Sequence, residues 1–330
     1  MKRKGNGGMS DKKKKTVTST GIEVRHKPLS LRIWNNRGHY LMFLPVFIFV
    51  LIMNYWPMLG IRYAFMEYKA GSSPTWTGLT HFTRMFSTSA FWSAFNNTLV
   101  LSIVKLFLTT FASVVVSIFL NEMGNLFAKK TLQTVIYLPH FMSWAVVASI
   151  FTLILSPSNT GMLNGMLRDL GILGPNDSNI YFLANSKMWR PIFYIINMWK
   201  DTGWGTIIFL ATLSGISPEL YEAADIDGAT RFQKMRFVTL PALANTIITV
   251  LILNLAKVMN LFESVFVLYN SAVYDVSDVI GTYIYRQTFA VARPDYGFST
   301  AVGLFRSIVG CILVLVCNQA SKKVRGRGII

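Results

Sequence analysis

The sequence predicts an all-α, polytopic membrane protein with six transmembrane helices. Three observations carry that expectation. Hydrophobic residues make up 52% of the 330 and charged residues only 14%, a balance that suits lipid-embedded helices better than the two soluble domains this length would otherwise allow. Several apolar runs reach the ~20 residues needed to cross a bilayer. Between these runs, the connections 62–95, 156–189 and 268–297 are long and aromatic-rich, whereas 121–131 is short and carries Lys129 and Lys130.

Residues 1–39 hold Lys2, Arg3, Lys4 and the run Lys12 to Lys15 among Gly, Ser and Thr. Such a segment buries too little apolar surface to fold, so it is expected to be a disordered basic cytosolic tail that brushes anionic lipid. Its last part, Leu29 to Tyr40 with Trp34, is expected at the membrane interface. A cleaved signal peptide is disfavoured, because the basic region and the apolar run are both too long and no small-x-small site follows. The spans are expected at about 40–61, 96–120, 132–155, 190–213, 242–267 and 298–318. Together they form a membrane domain over 40–320, followed by a basic tail at 321–330. The net charge of +17 lies in tails and loops rather than on a folded basic face, which argues against a nucleic-acid role.

Lysine and arginine fix the orientation. With the N-terminus inside, 20 of the 32 fall in cytosolic segments, 8 fall outside (counting Arg190, at the entry of its span, with the external loop) and 4 lie within spans. By the positive-inside rule both termini are cytosolic, and so is the loop 214–241. No Gly-Lys pair occurs, so there is no phosphate-cradling P-loop and no ATP hydrolysis by this chain. Neither a metal cluster nor a nucleophile–base pairing stands out. His26, His39, His81 and His140 are scattered, and Cys311 and Cys317 are six residues apart on one helix, with ~9 Å of rise between them, beyond disulfide reach.

The cytosolic loop is the most informative stretch. Ser217 suits an N-cap, Pro218 the first helical position, and Glu219 and Glu222 the positive end of the dipole. Ala223 and Ala224 keep one flank thin, and Asp227-Gly228 is turn chemistry. A second amphipathic piece runs through Phe232, Met235, Phe237 and Val238, and Pro241 is expected to open an apolar helix. Glu222-Ala223-Ala224, Asp227-Gly228-Ala229 and Leu240-Pro241 together resemble the EAA loop of bacterial ABC-importer permeases, in the form found in the maltose and oligosaccharide branch. The resemblance covers roughly 40–320 and is most specific at 197–241. It implies that the 217–229 helix couples transport to a separate ATPase. The implied partners are a second homologous permease, two cytosolic ATPase subunits that carry ATP and Mg, and an extracellular sugar-binding lipoprotein. No cofactor of its own is implied for this chain.

Charges inside spans are costly and mark candidate sites. In the fourth span Asn197, Lys200, Asp201 and Trp204 fall on one helical stripe, and in the fifth Asn254, Lys257, Val258 and Leu261 make a comparable one. Two polar stripes at matching depth suggest a midplane cavity. The resemblance places sugar contacts at Asn197, Lys200, Asp201, Trp204, Asn254, Val258 and Leu261, although Lys200, Asp201, Val258 and Leu261 depart from the small or amide residues usual there. The expected substrate is an oligosaccharide. If Asp201 pairs with Lys257, Lys200 is left for a carboxylate such as a uronic acid. Lys105 and Arg306 are placed to snorkel outward. Val276, Val279, Ile280, Tyr283 and Ile284 predict an amphipathic helix against the outer membrane face or the partner permease. The competing class is a secondary transporter or channel driven by an ion gradient, with Asp201 and Glu263 as its relay.

Overall fold

A computed structural model describes residues 29–69, 71–158, 161–174 and 176–325. The basic stretches 1–28 and 326–330 lie outside them. The chain divides into two units, residues 1–60 and 61–330.

The first unit holds α1 (Leu29–Asn35) and α2 (Arg37–Val50), which runs on through a wide π turn, Leu51–Tyr55; the tighter 3-10 stretch that follows, Trp56–Phe65, begins in the first unit and ends in the second. No Lys, Arg, Asp or Glu falls between Arg37 and Arg62, so this helix is apolar enough to cross a membrane.

In the second unit a two-stranded hairpin, β1 (Met66–Glu67) and β2 (Thr75–Trp76), pairs Met66 with Trp76. Then follow α3 (Thr80–Ser87), the 34-residue α4 (Ser89–Glu122), α5 (Leu126–Tyr137), α6 (Trp144–Ile154), α7 (Met162–Asp169) and the 28-residue α8 (Ser186–Leu213). After these come α9 (Pro218–Ile226), α10 (Arg231–Lys234), α11 (Leu240–Leu255), α12 (Glu263–Phe266), α13 (Tyr274–Ser277), α14 (Ile280–Phe289) and α15 (Tyr296–Arg325). Among the described residues four helices are long and apolar enough to cross a membrane, or five if the bent pair α5 and α6 counts as one span. The polar run from Asn197 to Asp201 lowers the hydropathy of α8, which is not among them.

Two expected spans change form. The third breaks at Leu138–Phe141, and its two helices meet at 101°. Pro139 has no N–H for the ladder, and the Ser143 hydroxyl accepts from Val146 N–H to start α6 afresh. The fifth does not reach residue 267. Its helix ends at Leu255, and Ser102 Oγ donates at 2.8 Å to the Val258 carbonyl, drawing that carbonyl out of a continuing helix. Pro241 stands in the first turn of α11, as expected, but the helical path begins earlier. Arg231–Leu255 is continuous, with a π turn at Met235–Thr239. In both this helix and the first, a proline stands two residues past a π turn, where the widened ladder accommodates its ring and its missing donor.

The long helices pack by small and hydroxyl residues. Ser113 Oγ of α4 donates to the Thr202 carbonyl of α8 at 3.0 Å, and a side chain on Gly205 would strike Ser113 Oγ. Apolar clusters flank this seam, one around Leu101, Trp189, Phe193 and Ile196, another around Phe209, Leu213 and Leu243.

The predicted amphipathic stripe folds inward. Val279, Ile280 and Tyr283 are buried, and Ile280 and Tyr283 pack with Phe91, Phe298 and Val302 of α4 and α15. That stripe therefore covers the chain's own core rather than the membrane face. Its off-stripe charges lock it there: Arg286 pairs with Asp278, and Asn97 donates to the Asp275 and Asp278 carbonyls while accepting from Arg190. Burial pushes the Asp278 carboxyl up, against the opposing pull of Thr282 and Arg286.

Candidate translocation cavity and coupling loop

A cavity of about 580 Å³ opens between α4, α8, the break at 138–143 and the break after α11, a volume in the range of small-molecule sites. From α4 it receives Ser102, Lys105, Thr109, Thr110 and Ser113. From α8 it receives Asp201, Trp204, Gly205 and Ile208, and from the two breaks His140, Lys257, Val258, Asn260 and Leu261, with Asn254 at the end of α11. Both breaks matter chemically, because an interrupted helix brings polar backbone to the wall of a cavity that can hydrogen-bond it.

Six of the eight predicted pocket residues line this cavity: Asp201, Trp204, Asn254, Lys257, Val258 and Leu261. Asn197 and Lys200 do not. Asn197 is fully buried and its amide donates to the Phe193 carbonyl. Lys200 is 5% exposed, donates to the His140 carbonyl at 2.8 Å and lies over the Trp144 ring at 5.4 Å. The cavity-facing stripe of α8 is instead Asp201, Trp204, Gly205 and Ile208. It keeps the expected spacing but starts one turn later, because the 138–144 segment covers the preceding turn.

The charge pairing also differs from expectation. Asp201 Oδ2 sits 3.2 Å from Lys105 Nζ, not on Lys257. Lys105 therefore faces inward instead of snorkelling, and Arg306 donates to Asn260 Oδ1 at 3.1 Å, bracing the second break. Lys257 is exposed and pairs with no carboxylate among the described residues. Sequence reasoning undervalued His140. The available signal was Pro139 inside an apolar run, which placed a helix break, and hence exposed polar groups, at that depth.

The loop between α8 and α11 is built as a stop and a restart. α9 ends in a Schellman turn. Ala229 N–H donates to the Ala224 carbonyl at 2.9 Å and Gly228 N–H to that of Asp225 at 3.0 Å, with Gly228 at φ +74°. Thr230 then opens α10 with a capping box to Gln233. Ser217 occupies the N-cap position of α9, but its side chain makes no capping hydrogen bond. Lys234 pairs with Asp225 at 2.7 Å and the Tyr221 hydroxyl meets Thr239 Oγ1 at 3.0 Å, tying α9 to the following helix. No side chain of α9 is buried. Glu222, Ala223, Asp227 and Gly228 are exposed, Ala224 and Ala229 are half-buried, and Ile226 is 87% exposed. Leu240 is half-buried and Pro241 exposed at the start of α11.

A helical membrane protein with a polar cavity among its spans and an exposed loop helix between two of them has the form of a transporter subunit. Residues 113–323 match the family described as binding-protein-dependent transport system inner membrane component, and the chain belongs to that family. It is a permease subunit of a carbohydrate ABC importer and has no catalytic role of its own, which sets aside the ion-gradient class. It is 37% identical to the polygalacturonan/rhamnogalacturonan transport system permease YteP of Bacillus subtilis strain 168, over 92% of this chain and 94% of that one. It is 26% identical to the arabinooligosaccharides permease AraP of the same organism, over 88% and 90%. Among solved structures it resembles a chain of a bacterial ABC transporter involved in the import of the acidic polysaccharide alginate, with TM-score 0.81 and 36% identity over 91% of this chain and 100% of that one.

Proposed function

We propose that this chain forms half of the membrane path for an acidic oligosaccharide, with α8 as the fourth of six spans and both termini in the cytosol. A 28-residue helix is ~42 Å long, enough to span, and its polar stretch faces the cavity and the 138–144 segment. The observation that carries the substrate class is charge. Lys105 and Lys257 stand in the cavity against one carboxylate, Asp201, and Lys257 has no acidic partner among the described residues. An ammonium left unpaired at such depth recruits an anion, and a uronic acid carboxylate supplies one. The uronate names carried by two relatives support the same class.

In this reading α9 is the lever. Closure of two partner ATPase subunits pushes on the exposed face around Glu222, Ala223 and Ile226, and the ties to Thr239 and Lys234 carry the motion into Arg231–Leu255. The cavity then alternates between outward and inward access as packed helices shift as rigid bodies. A second permease completes the path, and an extracellular binding lipoprotein delivers the glycan.

Uptake by the reconstituted complex, in wild type and Lys257→Gln, tests the charge argument. With a galacturonic acid trisaccharide the variant is expected to lose about tenfold, the loss of one charge-assisted contact, and much less with a neutral trisaccharide of equal length. Equal effects on both would remove Lys257 and its charge from substrate selection.

A further inference from the structure

The cavity already contains something shaped like its proposed cargo. The His140 ring lies flat on Trp204, with centroids 4.9 Å apart and planes 12° from parallel. Its Nδ1 is buried without a hydrogen-bond partner, and Asp201 Oδ1 stands 3.6 Å away, too far to bond it. The other oxygen of Asp201 holds Lys105 at 3.2 Å. Read outward from Trp204, the order is a flat ring on an aromatic face, then a carboxylate, then an ammonium. A uronosyl residue bound here would present that same order, with its apolar ring face on the indole and its carboxylate on the lysine.

We propose that Trp204 and Lys105 form a subsite for one uronosyl residue, and that His140 and Asp201 occupy it until the sugar displaces them. This rests on the acidic-oligosaccharide reading. The exchange replaces like with like. Lys105 trades one carboxylate for another, so its charge does not stand unpaired in the cavity, and Trp204 trades one ring for another. The His140 Nδ1 gives up no hydrogen bond when the ring moves, because it has no partner. The His140 backbone stays anchored by Lys200, so displacement needs only the side chain to swing. A neutral glycan fails the exchange: it leaves Asp201 in place and the subsite filled, or strips Lys105 of the counter-charge that Asp201 supplies. Selection against neutral sugars is thus built into the empty state.

The experiment measures initial uptake of a galacturonic acid trisaccharide at sub-saturating load. It uses the complete complex in proteoliposomes with Lys105→Gln, Asp201→Asn and the double variant, each at equal complex abundance. Lys105→Gln is expected to lose about tenfold. Asp201→Asn, which keeps the side chain's shape but removes the charge that holds it on Lys105, is expected to gain several-fold, with no gain for a neutral trisaccharide. The double variant is expected to fall to the level of Lys105→Gln. Equal losses in the two single variants, with recovery in the double, would make the pair a structural tie and overturn the placeholder while leaving the acidic reading intact. A wild-type complex that takes up only the neutral trisaccharide would overturn both.

Discussion

Gly228 separates two ways of damaging the coupling loop. It ends α9 at φ +74° and donates its N–H to Asp225 at 3.0 Å. No atom lies within 4 Å of where a side chain would start, so alanine meets no clash and bears only the left-handed backbone penalty, about 1–2 kcal/mol. Proline demands φ near −65° and has no N–H. It must abandon both the turn and the bond to Asp225, at about 3 kcal/mol or more. Because Lys234 and Tyr221 still tie α9 down, the alanine variant is expected to keep its turn in part of the population and lose about thirtyfold in uptake at most. The proline variant is expected to insert at wild-type abundance yet show no stimulation of the partner ATPase by loaded binding protein. The assay is ATPase rate and uptake measured together in proteoliposomes. Normal coupling in Gly228→Pro, or equal loss in the two variants, would refute the lever reading.

Two further predictions follow from other parts of the fold. A side chain on Gly203 would stand 2.2 Å from the Ile136 carbonyl oxygen, a backbone atom that cannot rotate away. Overpacking of ~1–3 kcal/mol outweighs ~1 kcal/mol of helix propensity, so Gly203→Ala should lower the melting temperature of the purified complex, whereas Gly303→Ala, which meets nothing within 4 Å, should not. Reporters placed after Lys130 or within 230–236 should report cytosol, and those within 161–174 or 285–295 outside. One reversed site in a working fusion would mean that the span count is wrong.

What was readable in advance was local. Long apolar runs placed α4 and α15, and the residues of 217–229 announced a proline-opened, glycine-terminated helix. What escaped depended on distant partners. No proline marks the end of α11; a serine on α4 bonding the Val258 carbonyl helps end it. Lys200 had the right spacing for the cavity, yet the carbonyl of His140, 60 residues earlier, claims its ammonium. The period of the 276–284 stripe was correct while its partner was not, because periodicity identifies a buried face without saying what buries it.

The most direct measurement is ATPase stimulation of the reconstituted complex by its binding protein loaded with either of two trisaccharides, one of galacturonic acid and one neutral, matched in length and linkage. The account predicts stimulation by the acidic glycan that exceeds the neutral one by about tenfold, the weight of one charge-assisted contact. Equal stimulation, or stimulation by the neutral glycan alone, would contradict it.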